Sequence, residues 1–349
     1  MPNRKRKKPR GFKESEFSPD GSRSTFDLWL PIPKKTPGSS LLESKLVVRQ
    51  LLQRLESTGL THAALTHTVY GRPRIPEDCC DAALPDSLWK QTESTTTTTR
   101  RDSFKVLKRL HAVVENLSDV GFYAIKADDS SSTLKDYELV SIAPRNDATF
   151  QAACVSATAA EIITLDYTSG RGAVQLPFKI RTSDVKAAVA RNAVFEIPYS
   201  PAILNQTQRK ALIQTCRELQ MASLGLKAKV LLSSGDRMES QVDVGAMALR
   251  TPGDLVNLME SVLRFDSGAS HDALTLTGAF AIEQGRRRRF GESIVSDVYI
   301  VDQREEVAIP QAKKAKQEPG FSHTASTPKD ESKSSKEDAE VVEDGYICF

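Results

Sequence analysis

Cysteine is scarce: five residues in 349, at Cys79, Cys80, Cys154, Cys216 and Cys348. They form no CxxC pair, so neither a disulfide-stapled secreted scaffold nor a cysteine zinc site is indicated, and the chain reads as one built for a reducing compartment. Long apolar runs are missing too. No stretch reaches the ~18–20 residues needed to span a bilayer, and the basic run Arg4–Arg10 is followed by no hydrophobic segment. The chain is therefore expected to be soluble, unexported and without a membrane partner. Also absent are GxSxG, HExxH, P-loop and GxGxxG fingerprints, which removes the most recognisable hydrolase and nucleotide-binding classes.

A large excess of one charge is likewise lacking, because Lys and Arg number 48 and Asp and Glu 45. What excess there is lies at the start, where Arg4, Lys5, Arg6, Lys7, Lys8 and Arg10 meet no acid within the first ten residues. The body is almost neutral, so any polyanion must be met by local patches or by the basic arm. Residues 1–23 and 306–349 hold too little apolar content to offset the entropy of ordering and are expected to be disordered tails, basic and mixed-charge respectively. NRKRKKPR and QAKKAKQE match basic nuclear-import patches, with a nonspecific RNA-binding arm as the alternative.

Residues 24–305 are expected to form one domain. Short β-rich runs (Phe26–Leu30, Thr61–His67, Val106–Val114, Tyr137–Ala143, Glu161–Leu165, Ala193–Ile197 and Lys229–Ser233) read as buried parallel strands. Between them lie helical patterns at Leu41–Ser57, Asp147–Ala159, Thr182–Arg191, Asn205–Ala222 and Gly253–Phe265. In the first, Leu42, Leu46, Arg49, Leu52 and Leu55 fall near one face, with Leu51 beside them. This alternation argues for a wound α/β domain and fits a (β/α)8-type barrel better than an open sheet. The segment 70–102, with CCDAALPDS and five consecutive threonines, has no clear pattern and reads as a surface insertion.

Leu176–Ile203 (LPFKIRTSDVKAAVARNAVFEIPYSPAI) carries a more specific signal: an apolar step, Lys179 and Arg181, a helix ending in Arg191, a strand reading Phe195–Glu196, then Tyr199–Ile203. KVLLSS (229–234) and RTPGDLVNL (250–258) follow. This series resembles the thirty-kilodalton protein subunit family of ribonuclease P, which eukaryotes also use in ribonuclease MRP; FDLWLP, THAALTH and FKVLKRLHAVVEN resemble its first strands more weakly. The resemblance implies a TIM-like α/β barrel of PHP type and a noncatalytic, RNA-binding subunit, whose RNA partner removes the 5′ leader of precursor tRNA. It also implies no cofactor, a small ferredoxin-like partner subunit beside other ribonuclease P/MRP proteins, and residence in the nucleus and nucleolus. The insertion at 70–102 and the run GRRRRFG (285–291) depart from the family pattern.

A PHP-type hydrolase, the rival reading, needs converging His and Asp ligands, beginning with an HxH pair on the first strand. FDLWL has no histidine, and His62 and His67, five apart on one strand, point to opposite faces. His111 reads as a core or surface residue, His271 as helical and His323 as part of a tail. Asp27, His67 and Asp166 have the spacing to meet at the barrel mouth, yet a metal site needs three or four ligands in matched geometry. Glu196, Tyr199, Ser200 and Pro201 read as structural, with Asn205 as an N-cap. No catalytic or metal-ligating residue is therefore assigned. The candidate RNA contacts are Arg145, Lys179, Arg181, Arg191, Arg237, Arg250 and the run Arg286, Arg287, Arg288 and Arg289, because arginine forks grip phosphate bidentately. For each the alternative is a solvated or salt-bridged surface group, and for the run a solvated turn. A third possibility is a protein-interaction scaffold that touches no RNA.

Overall fold

A computed structural model describes residues 24–31, 41–88, 104–124, 132–168, 175–235 and 248–290. Both proposed tails, Arg237 and the threonine run lie outside these residues. Seven parallel strands pair in chain order: β1 (Phe26–Pro31), β2 (His62–Tyr70), β3 (Lys105–Val114), β4 (Leu139–Pro144), β5 (Ile162–Thr164), β6 (Val194–Pro198) and β7 (Lys229–Ser233). The eighth strand of a (β/α)8 barrel is not among them, and the sheet curls into a nearly closed seven-stranded barrel. Its helices are α1 (Leu41–Ser57), α2 (Cys80–Ala83), α3 (Leu117–Phe122), α4 (Ser132–Asp136), α5 (Asp147–Val155), α6 (Thr182–Ala190), α7 (Ser200–Leu204), α8 (Gln206–Ala222), α9 (Pro252–Asn257), α10 (Ser267–Leu274) and α11 (Leu276–Phe290). No helix among the described residues is long and apolar enough to cross a membrane.

Strand alternation explains the two cores. Outward residues such as Leu65, Leu110, Ile163 and Phe195 pack under the helices in the larger cluster. Inward residues Phe26, Leu28, Ala64, Leu107, Leu139, Ile162, Val194 and Leu231 fill the lower end of the barrel, where Ala281 and Phe280 of α11 seal it. In α1 the stripe that packs inward is Val48, Leu51, Leu52 and Leu55, while Leu46 is 59% exposed. The expected helix over 253–265 breaks after Asn257 into a π-helical turn, Leu258–Val262. The described part of the insertion is tied to the barrel: the Asp78 carboxylate meets His67 at 2.7 Å, and the Tyr137 hydroxyl donates to the Asp78 carbonyl at 2.8 Å.

Closure between β1 and β7 uses no strand ladder. The Gly235 amide donates to the Trp29 carbonyl at 3.3 Å, the Ser234 hydroxyl to the same oxygen at 2.7 Å, and the Ser234 amide to the Asp27 carboxylate at 3.0 Å. A register shift between Asp27 and Leu30 bends β1 to meet them.

The arginine run is no turn. Arg286–Arg289 continue α11, which crosses the lower end of the barrel and passes so close to β4 that a Cβ on Gly285 would stand 2.1 Å from the Glu138 carbonyl oxygen. Alanine ordinarily stabilises a helix interior by about 1 kcal/mol over glycine. Here the sign is expected to invert: Gly285→Ala lowers stability by about 1–3 kcal/mol through overpacking, read as a lower urea midpoint with an unchanged slope.

Candidate functional site

Halfway up the barrel the filling changes from apolar to polar. Arg109 of β3 projects inward between Leu107 and His111 and is 0% exposed. All five of its N–H groups find acceptors: Nε donates to Ser141 Oγ (2.9 Å), Nη1 to the Leu28 carbonyl (2.5 Å) and Glu196 Oε1 (2.6 Å), Nη2 to Glu196 Oε2 (2.5 Å) and Thr164 Oγ1 (3.4 Å). The Glu196 carboxylate, equally buried, also accepts from Thr164 Oγ1 at 2.7 Å and Ser233 Oγ at 2.8 Å. One guanidinium and one carboxylate thus link β1, β3, β4, β5, β6 and β7. His111 lies a step higher, sharing a 2.8 Å hydrogen bond with Ser141 Oγ and its ring tilted on Trp29. Burial, and then the charges of Arg109 and Arg145, hold its pKa well below the ordinary imidazole range, so it is neutral.

Two further polar atoms of the upper barrel, Asp27 Oδ2 and Trp29 Nε1, are buried without a hydrogen-bond partner. Burial raises the Asp27 pKa to about 6, against the opposing pull of its hydrogen bonds from Ser234 and Trp29. The remaining candidates for a metal set diverge. His67 points outward to Asp78, while His62 stacks on Phe26 at the lower end with its pKa lowered by burial to about 4. Asp166 is engaged by Arg145, and among the described residues no three His, Cys, Asp or Glu side chains gather as ligands.

The candidate cations separate by what they hold. Arg191 donates to the carbonyls of Cys154 (3.1 Å), Ala160 (2.7 Å) and Ala153 (2.9 Å), binding α5 to the start of β5. Arg288 reaches Glu161 Oε1 at 2.5 Å and the carbonyls of Leu134 and Tyr137, below the barrel. Both guanidiniums are committed to the protein's own main chain. Arg286 and Arg287 share Glu283, and Arg289 lies 5.3 Å from the Phe290 ring. This run occupies the end of the barrel opposite the mouth, and Glu283 and Glu161 offset the charge of three of its four cations, Arg286, Arg287 and Arg288. Arg250 lines a groove of about 490 Å³ with Tyr199, Leu212 and Leu255.

At the mouth, Arg145 pairs with Asp166 at 2.8 Å, and Thr168 donates to the other oxygen of that carboxylate. The Asn146 side chain caps α5 in a capping box, which presents Asp147 at the first turn. Asp147 in turn accepts the Lys179 amide at 3.2 Å and lies 3.7 Å from the Arg181 guanidinium. The side chains of Lys179 and Arg181 are exposed. The structure therefore brings Arg145, Lys179 and Arg181 to one end of the barrel. Sequence reasoning missed Arg109 and read Glu196 as structural without its partner; the available signal was the alternation Leu107–Arg109–His111, which aligns all three on one strand face.

The sequence pattern of the family described as RNase P subunit p30 matches residues 25–290, from β1 to the end of α11. Among curated proteins, Protein GAMETOPHYTE DEFECTIVE 1 of Arabidopsis thaliana is 24% identical over 247 residues, 67% of this chain and 39% of that protein. Ribonuclease P protein subunit drpp30 of Dictyostelium discoideum is 29% identical over 225 residues, 63% of this chain and 55% of its own. Ribonuclease P protein subunit p30 of Mus musculus is 26% identical over 215 residues, 61% and 72%. The chain thus spans about half the length of the first two.

Two predictions follow from the buried layer. Removing one partner of a buried pair leaves the other uncompensated, so Glu196→Gln and Arg109→Met are each expected to cost about 3–5 kcal/mol, and the double variant much less than their sum. A double-mutant cycle in urea checks this. Asp27 binds its proton more tightly folded than unfolded, so its contribution to stability is complete below its ordinary pKa and is lost as pH rises through about 6. Asp27→Asn escapes that loss, and its stability relative to wild type is expected to improve by up to about 3 kcal/mol as pH climbs from about 4 to 7.

Proposed function

From the premise that the chain belongs to the RNase P subunit p30 family, we propose that it is a noncatalytic protein subunit of ribonuclease P, used in ribonuclease MRP as well. It binds the RNA of the particle and supports removal of the 5′ leader from precursor tRNA, a cleavage performed by the RNA. It works in the nucleus and nucleolus beside a small ferredoxin-like subunit and the other proteins of the particle. The observation that carries this reading is the extent of the family match, which coincides with the whole described barrel. The physical chemistry supports it. Exposed Lys179 and Arg181, with Arg145 nearby, offer phosphate contacts at the mouth, whereas the buried polar layer beneath spends its hydrogen bonds on the barrel itself. The rival phosphohydrolase has less to stand on, because its candidate ligands face different ways.

The test is complementation. Cells depleted of this chain are expected to accumulate precursor tRNA with uncut 5′ leaders, and the wild-type chain to restore maturation. The double variant Lys179→Ala/Arg181→Ala is expected to fold normally, restore it poorly, and bind RNA with a salt dependence shallower by about two phosphate contacts. Normal tRNA 5′ ends in depleted cells would refute the assignment.

A further inference from the structure

One large exposed aromatic stands where the alternation of β2 points toward the barrel interior. Ala64, Thr66, Thr68 and Tyr70 share a face; Ala64 is in the interior core and Thr66 is buried, while Tyr70, at the last position, is 64% exposed. Tyr70 is therefore carried on the inner face at the rim of the mouth. Register aligns it with Val113 of β3 and, through Val113, with Ala143 of β4. Ala143 stands two strand spacings, about 10 Å, from Tyr70, and Arg145 follows two residues beyond it, just past the end of β4.

The segment that follows is Tyr70–Gly71–Arg72–Pro73–Arg74, two arginines and no acid. Its backbone is fixed from several sides. The Gly71 amide donates to the Val113 carbonyl at 2.8 Å, and the Gly71 carbonyl accepts the Tyr123 hydroxyl at 2.8 Å. Gly71 itself has φ +77°, and a Cβ there would meet the Asp119 carboxylate at 3.0 Å. Arg72 donates to the Ser118 carbonyl at 2.6 Å and pairs with Asp119 at 3.3 Å, yet is 53% exposed. Arg74 is exposed as well. An exposed ring followed by two exposed guanidiniums, the first of them pinned to Ser118 and Asp119, is a constellation on which an unpaired nucleobase stacks while its phosphates are gripped.

We propose that Tyr70 is a stacking platform for an unpaired RNA base at the barrel mouth, with Arg72, Arg74 and Arg145 holding the adjoining phosphates. This rests on the RNA-binding reading above and adds a site to it. Apolar Ile75 and Leu117 are exposed on neighbouring segments, which makes a protein occupant the competing outcome; the two arginines that follow the ring within four residues, with no acid among them, favour nucleic acid.

The test uses the full chain and a fluorescein-labelled oligouridylate, with thermal unfolding to verify that each variant folds. Tyr70→Ala and Tyr70→Leu should each weaken binding about tenfold, and Tyr70→Phe, which keeps the ring, should bind as wild type does. If Tyr70→Ala binds normally while Lys179→Ala/Arg181→Ala is weakened, stacking is refuted and RNA binding stands. If the wild-type chain does not bind at all, both readings fall. A photoreactive phenylalanine at position 70, incorporated in cells, should give an adduct that nuclease trims; an adduct sensitive only to protease assigns the ring to a protein and overturns the proposal.

Discussion

An arginine cannot shed its proton inside a protein, so a guanidinium placed at the centre of a barrel must be matched in charge and in all five of its hydrogen bonds or the fold fails. Arg109 sets this requirement, and the sequence answers it from distant segments. Glu196 of β6 supplies the charge, Ser141 and Thr164 supply hydroxyls, and a bent β1 offers the Leu28 carbonyl that a regular ladder would have used. The consequence reaches beyond energy. Because the partners sit on six strands, the pair fixes their relative heights, and a one-residue slip of any strand would strand a charge in a dry interior. Such a pair adds less to stability than an apolar filling of equal volume often would. What it supplies here is register in a barrel whose seam lacks a ladder.

The same accounting sorts the other cations. Arg191 and Arg288 behave as tie-rods whose guanidiniums take up carbonyls left over at the ends of helices and strands. Lys179 and Arg181 touch the protein chiefly through the Asp147 carboxylate at the start of α5 and keep their side chains in water. Counter-ions gather only on charges of the second kind, and only their displacement yields affinity for a polyanion. Proximity in sequence says little about which kind a residue is. In α11 four consecutive arginines are fanned out by the helix at about 100° per residue, so one faces the barrel, two share a glutamate and one lies against a phenylalanine.

Much of the architecture was legible because parallel strands buried on both faces leave apolar runs that turn residues bound sharply; all seven strands fall within a few residues of where the runs placed them. The same double burial hid Arg109. In KVLKRLHAV both faces of the strand carry apolar residues, so alternation could align Arg109 with His111 but could not say which face looks inward. Leu46 was misread for the opposite reason: the stripe that packs runs Val48, Leu51, Leu52 and Leu55, and Leu46 lies two residues ahead of it, off the face. The mouth was half legible. Strand ends pointed to Arg145, but Tyr70 lay just inside a segment whose lack of periodicity offered nothing to read.

The Arg109–Glu196 layer satisfies all its polar groups and so has little capacity left to bind anything else. Functional sites ordinarily keep groups with strongly perturbed titration and unspent hydrogen bonds facing a cleft. Here the perturbed carboxylate, Asp27, gives one oxygen to the seam through Ser234 and Trp29 and buries the other, and the neutral imidazole of His111 bonds Ser141. Recognition is thereby displaced one layer upward, to side chains on the rim that the barrel positions without consuming. A rim built this way suits a large, irregular polyanion better than a small substrate, since its cations and its one aromatic ring are spread across strand ends and loops instead of converging on a point.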